Sequence, residues 1–273
     1  MVKAIAFTKM SGTGNDFIMI DNRKKVIKQN LNRLAKQLCF RQRGIGADGV
    51  ILLESSKKHD FRMRIFNADG TEAEMCGNGA RCVAEFARHH HVTKKKNINF
   101  DTMSGLIQAV FTKRGVKISL GIPKKYKNRF SLKGVKGSFY FVNTGVPHAV
   151  GFVTSNKKTD VINTGRKIRR HSHFAPSGTN VNFVQILKKN EIHVRTYERG
   201  VEDETLACGT GACASAVVGI ILGKLKSPVK VRTTGGDILY VHYSYQGRLN
   251  IPVYLEGKVV TTFQGQVALN HTS

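Results

Sequence analysis

The chain has 273 residues, 41% of them hydrophobic, enough for one large domain or two ordinary ones with a real core. No apolar run approaches the ~20 residues of a membrane span, and MVKAIAF is too short for a secretory leader, so a cytosolic protein with no membrane partner is expected. Lys and Arg number 44 against 18 Asp and Glu, a formal charge of +26 that invites a nucleic-acid reading.

That reading is not favoured. The basic residues form short scattered runs, RKK at 23–25, KKK at 94–96, KKYK at 124–127 and RKIRR at 166–170. Few aromatics lie among them for bases to stack on. A solvated coat is the simpler account, and no nucleic-acid partner is expected. The five cysteines, an odd count, argue against a disulfide framework and for a reducing compartment.

Taken in chain order, KAIAFTKM and FIMID read as strands, LNRLAKQLC at 31–39 as an amphipathic helix, and FRMRIFNA as a strand. EMCGNGARCVAEFA at 74–87 reads as a Gly-rich turn running into a helix. NINFDT and LIQAVF are strands. Gly and Pro in SLGIPKK at 119–125 mark a boundary. SFYFVN, VNFVQIL and IHVRTYE are strands, and LACGTGACASAVVG at 206–219 is a second Gly-rich turn and helix. Its apolar continuation suits a helix enclosed on all sides. VKVRTT and ILYVHY are the closing strands. GIGADG at 44–49 matches a dinucleotide fingerprint, but it follows a helix and precedes a strand, the wrong order for that motif.

The order repeats. Thr13–Gly14 recurs as Thr144–Gly145 and TMSG as TTGG, both 131 residues on, while Cys76 recurs as Cys208 after 132. An internal duplication follows. The expected fold is α+β, with two pseudo-symmetric domains. Strands wrapped around one buried helix would satisfy each half. The division expected is 1–121 and 122–273, with a C-terminal strand over 263–273 packing back on the first half.

Cys76 and Cys208 each stand before a glycine at a helix start. There, free N–H groups and the helix dipole favour thiolate, and the same N–H groups suit a carboxylate. Two such sulfurs on opposite sides of one α-carbon could remove a proton from one face and deliver one to the other. Cys39, Cys82 and Cys213 read as buried small hydrophobes. The gaps Cys76–Cys82 and Cys208–Cys213 depart from zinc-ribbon spacing, so no metal is expected.

Together SGTGNDF, RIFNADGTEAEMCGNGARC, TGVPH and YERGVEDETLACGTGAC resemble the diaminopimelate epimerases over nearly the whole chain. The resemblance implies a cofactor-independent isomerase interconverting LL- and meso-diaminopimelate on the route to lysine and cell wall. It implies Cys76 and Cys208 as the acid/base pair, tuned by His148 and Glu198. Gly77, Asn78, Gly209 and Thr210 would cradle the reacting carboxylate. Asn15, Asn67 and Asn180 would contact the substrate, mostly at its distal end. Glu198 would bind the reacting ammonium and Arg199 the distal carboxylate. It further implies that each half is a β-barrel-like antiparallel sheet wrapped around a central buried helix, with the active site in the cleft between them, and a homodimer.

The residues by themselves leave alternatives open. Asn15 and Asn67 also suit turns, Arg199 a surface charge, and His148 a satisfied loop histidine. Val146 and Gly49 stand where many relatives carry Asn and some carry Gln. Two competing functions are a proline- or histidine-type racemase and a basic nucleic-acid-binding protein with structural cysteines.

Overall fold

The computed structural model describes residues 4–268. It is a mixed α+β protein of two compact units, one running to Ile118 and taking in the segment from Lys258, the other Ser119–Gly257.

In the first unit, β1 (Ala4–Gly12) and β2 (Asn15–Asp21) form an antiparallel hairpin. Helix α1 (Leu31–Cys39) returns the chain so that β3 (Gly49–Glu54) lies parallel to β2. Asn30 caps α1 through its side chain, and Leu34, Ala35 and Leu38 bury one stripe of it. β4 (Phe61–Asn67) is antiparallel to β3 and leads to the short β5 (Glu72–Ala73). In β4, Phe61, Met63 and Ile65 point inward between Arg62 and Arg64, the period of a half-buried strand. Then come α2 (Gly77–His89), β6 (Asn97–Thr102) parallel to β4, and the meander β7 (Gly105–Thr112) and β8 (Gly115–Ser119).

The second unit repeats the plan. β9 (Lys124–Phe130) flanks the hairpin of β10 (Phe139–Asn143) and β11 (Pro147–Phe152). Helix α3 (Val161–Arg169) leads to β12 (Asn180–Lys188), parallel to β11, with β13 (Glu191–Glu198) antiparallel to it. β14 (Asp203–Thr205) precedes α4 (Gly209–Ile221), then β15 (Val229–Arg232) parallel to β13, β16 (Ile238–His242) and β17 (Tyr254–Gly257). Helix α4 is buried from Gly211 to Gly219 and packs against β10 to β13 and β15 to β17. An apolar helix is thereby shielded on all sides.

The final strand, β18 (Val260–Ala268), returns to the first unit and pairs antiparallel with β1, Ala4 facing Ala268. It does for β1 what β9 does for β10. Residues 269–273 of the strand expected over 263–273 lie outside the described residues. Helix α3 is not among the elements expected from the sequence. Its buried face is short, Val161, Gly165 and Ile168, and the basic run masks the period.

The duplication holds at the level of register. Phe17 faces Gly49 as His148 faces Asn180, and Ile51 faces Ile65 as Asn182 faces Thr196. Phe61 faces Phe100 where the second unit pairs Ile192 with Val231. The two phenyl rings stack with centroids 4.7 Å apart in the fully buried core of the first unit. Phe100→Ala is therefore expected to cost about 3–5 kcal/mol, read as a fall in the urea midpoint. Phe100→Val should cost less. An unchanged midpoint in both would contradict this packing.

Candidate active site

In the first unit, Cys76 is the N-cap of α2, in extended conformation with φ −136°. Its carbonyl accepts from the Ala80 N–H at 2.8 Å, so the helix begins at Gly77 and the thiol stands beside its first turn. Asn78 ties that turn to the β1–β2 hairpin, donating to the Thr13 carbonyl (3.0 Å) and to Asn15 Oδ1 (2.8 Å). Asn15 in turn donates to Asp48 (2.9 Å), and Arg41 bridges Asp48 and Asp16. Behind them the fully buried Arg81 donates to Thr13 Oγ1 (2.9 Å) and Asn78 Oδ1 (2.8 Å). Cys76, Gly77, Asn78 and Asn15 are thus held in one network. Asn67 ends β4 on the surface, and its amide donates to Thr71 Oγ1 at 3.0 Å, closing the turn.

In the second unit, Cys208 is the N-cap of α4. The Gly211 N–H donates to its sulfur at 3.4 Å, and Thr210 Oγ1 lies 3.5 Å away. Thr144 Oγ1 anchors this turn by donating to the Thr210 carbonyl at 2.9 Å. Glu198 sits at the end of β13, and the Thr205 hydroxyl donates to it at 2.6 Å. Asn180 accepts from the Arg199 N–H (2.8 Å) and donates to the Pro147 carbonyl (3.3 Å). The Arg199 guanidinium donates to the Ser177 carbonyl at 3.3 Å.

The electrostatics correct one expectation. A helix N-terminus alone would favour thiolate at Cys208, and the Gly211 N–H does pull that way. Burial and the neighbouring Glu198 carboxylate outweigh it and push the thiol well above its usual range. Cys208 therefore rests as a thiol. Burial also raises the Glu198 carboxyl, opposed by its bonds to Thr205 and Cys208. His148 is fully buried on β11. Burial, with Arg199 adding to it, lowers its pKa to about 3, so the ring is neutral. Cys39 and Cys82 are pushed up to about 12 by burial, and Cys213 is buried. Among the described residues no cluster of three or more His, Cys, Asp or Glu could hold a metal ion.

Several residues of these networks escape a reading of the sequence. Thr205 reaches Glu198 only because β14 folds back on β13, and Asn182 reaches His148 only across parallel strands. Arg64 grips Glu72 (2.7 Å) and Arg195 grips Glu204 (2.7 Å), duplicated ion pairs that fix the turn ahead of each cysteine. Aligning the two halves by their cysteines would have found that pair. Gly49 has a steric reason: a Cβ there would lie 2.7 Å from the Phe66 carbonyl.

A family model described as "Diaminopimelate epimerase" matches residues 7–126 and 140–261. The chain is similar to proteins named diaminopimelate epimerase from Aquifex aeolicus (41% identical, covering 96% of this chain and 97% of that one) and Hydrogenobaculum sp. (42%, covering 96% and 98%). Among solved structures, a Bacillus anthracis phenazine biosynthesis protein of the PhzF family superposes with TM-score 0.73 at 15% identity, covering 98% of this chain and 100% of that one. A hydroxyproline epimerase from Agrobacterium vitis, with bound trans-4-hydroxy-L-proline, gives 0.70 at 15%, covering 100% and 95%. At that identity the likeness speaks for the fold.

Replacing Glu198 by Gln leaves the burial of Cys208 in place and removes the negative charge that adds to it. Alkylation of Cys208, followed by mass spectrometry across pH, should shift to lower pH in Glu198→Gln. A profile that does not move would show that the carboxylate does not act on this sulfur.

Proposed function

The chain belongs to the diaminopimelate epimerase family, an isomerase family, and we propose that it interconverts LL- and meso-diaminopimelate by a two-base mechanism run by Cys76 and Cys208. Inverting a stereocentre requires a base on one face of the α-carbon and an acid on the other. Each unit carries one cysteine in the same local setting, the N-cap of a helix that opens with glycine. That repeated setting is the observation that carries the reading.

In the direction where Cys208 starts as the thiol, Cys76 is the base. The Cys76 thiolate takes the α-proton, the electron pair is left on the α-carbon and its carboxylate, and the Cys208 S–H gives its proton to the opposite face. The enzyme ends with Cys76 protonated and Cys208 as thiolate, and proton exchange with water restores the starting form. The reverse reaction runs the roles backwards. The burial and carboxylate that keep Cys208 protonated support this assignment.

Gly77, Asn78, Gly209 and Thr210 supply the N–H groups of two helix starts for the α-carboxylate, where charge builds in the transition state. A well-placed donor of this kind is worth about 3–4 kcal/mol. Glu198 pairs with the reacting ammonium, and Arg199 offers a planar fork to the distal carboxylate. Asn15, Asn67 and Asn180 each commit one amide hydrogen to a protein acceptor among the described residues, leaving the second to hold the substrate. No cofactor enters this scheme, since one sulfur takes the α-proton and the other supplies its replacement. The reading includes a cytosolic homodimer; the odd count of five cysteines suits a reducing compartment.

Cys76→Ala and Cys208→Ala should each lower kcat for epimerisation about 10²–10⁴-fold, while Cys39→Ala keeps it near wild type. The coupled assay with LL-diaminopimelate reads this. Full activity in either of the first two variants would overturn the mechanism.

A further inference from the structure

The duplication provides an internal control for the polar residues buried in the second unit. His148, Asn182 and Thr196 occupy the register positions that the first unit fills with Phe17, Ile51 and Ile65. All six are buried. The neighbourhood is shared too. A Cβ on Gly79 would lie 2.7 Å from Ile51, and one on Gly211 would lie 2.3 Å from Asn182 Oδ1, so each residue presses on the first turn of the helix behind its cysteine. The fold is satisfied by an apolar trio at these positions. The polar trio has another reason to be there.

We infer that Asn182 is a positioning residue for the epimerisation, holding His148 in the tautomer that carries its proton on Nε2 and so making the ring a hydrogen-bond donor toward the reacting centre. The inference rests on the epimerase reading above. The bonding leaves one solution. Asn182 Nδ2 lies 3.0 Å from the Ala149 carbonyl, which can only accept, so the amide orientation is fixed. The Thr196 hydroxyl donates to Asn182 Oδ1 at 3.0 Å, in agreement. The second Nδ2 hydrogen then points to His148 Nδ1, 3.1 Å away. Nδ1 must offer its lone pair, and the neutral ring keeps its proton on Nε2. Among the described residues His148 Nε2 has no hydrogen-bond partner although it is buried, which leaves that N–H for the substrate or a thiolate. The other side of the amide abuts Gly211, whose own N–H donates to the Cys208 sulfur. One carboxamide thus sets the imidazole and braces the turn that carries the thiol. His148 so held cannot act as a base, and proton transfer belongs to the sulfurs.

The test is the ring's nitrogen signature in the full-length protein labelled with ¹⁵N-histidine. The His148 signals are identified by their loss in His148→Phe, which copies Phe17. Wild type should show an unprotonated Nδ1 and a protonated Nε2 from pH 5 to 9. In Asn182→Asp the carboxylate facing Nδ1 calls for a proton there, so the signature should switch and epimerisation should fall about tenfold or more. A protonated Nδ1 in wild type overturns the proposal, whatever the variant does. A switched tautomer with undiminished turnover overturns the positioning role. Asn182→Ile with Thr196→Ile, copying the first unit, serves as the folding control: it should keep its unfolding midpoint and lose the fixed tautomer. If wild type shows the expected signature but does not epimerise diaminopimelate, the functional reading fails and the tautomer assignment stands.

Discussion

Everything in this chain depends on a sulfur placed at the N-cap of a helix. The position forces extended backbone on the cysteine, helical backbone on the glycine after it, and exposes the free N–H groups of the first turn beside the thiol. Such a turn must be held rigidly, because a reacting proton tolerates little misplacement. In the first unit the holding is done by Asn78, Thr13 and a buried Arg81, in the second by Thr144, Thr210 and the crowded Gly211. The Arg64–Glu72 and Arg195–Glu204 pairs lock the approach to both.

The two units differ in kind at several equivalent positions. Gly49 matches Asn180, Asn67 matches Glu198, and Phe17 matches His148. At these positions the second unit carries the ionisable groups, Glu198 and His148. Burial, with the Glu198 carboxylate beside it, pushes the Cys208 thiol up, and burial raises that carboxyl as well. The first unit retains an apolar backing of Phe17, Ile51 and Ile65 behind its cysteine. Two near-identical helix starts thus stand on different strand neighbours.

The cysteine strings, the duplication, helix α1 with its bounds and most of the strands were legible in the sequence, because periodicity and glycine placement are local signals. The resting state of Cys208 was not. Helix-start chemistry argued for thiolate, while burial and then Glu198, set at the β13–β14 turn, push the other way. Nor was Asn182, whose meaning depends on a parallel pairing with β11, more than 30 residues away. A C-terminal strand returning to the first half was expected over 263–273; it begins earlier, at Val260, and its pairing with β1 is a long-range contact. The asparagines illustrate the limit of motif reading. Asn15, Asn67 and Asn180 could each be turn residues or ligands, and the structure has each making a bond of its own within the protein.

The central claim is that two different sulfurs, one from each duplicated half, exchange protons with opposite faces of one carbon. Its most direct test is epimerisation of LL-diaminopimelate in heavy water, stopped at low conversion, with deuterium at the α-carbon read separately in substrate and product. Two bases predict deuterium in the meso product and none in the recovered LL substrate, because the base that removes the proton is not the acid that replaces it. Deuterium appearing equally in both from the first turnovers would mean a single exchanging base, and would contradict the account.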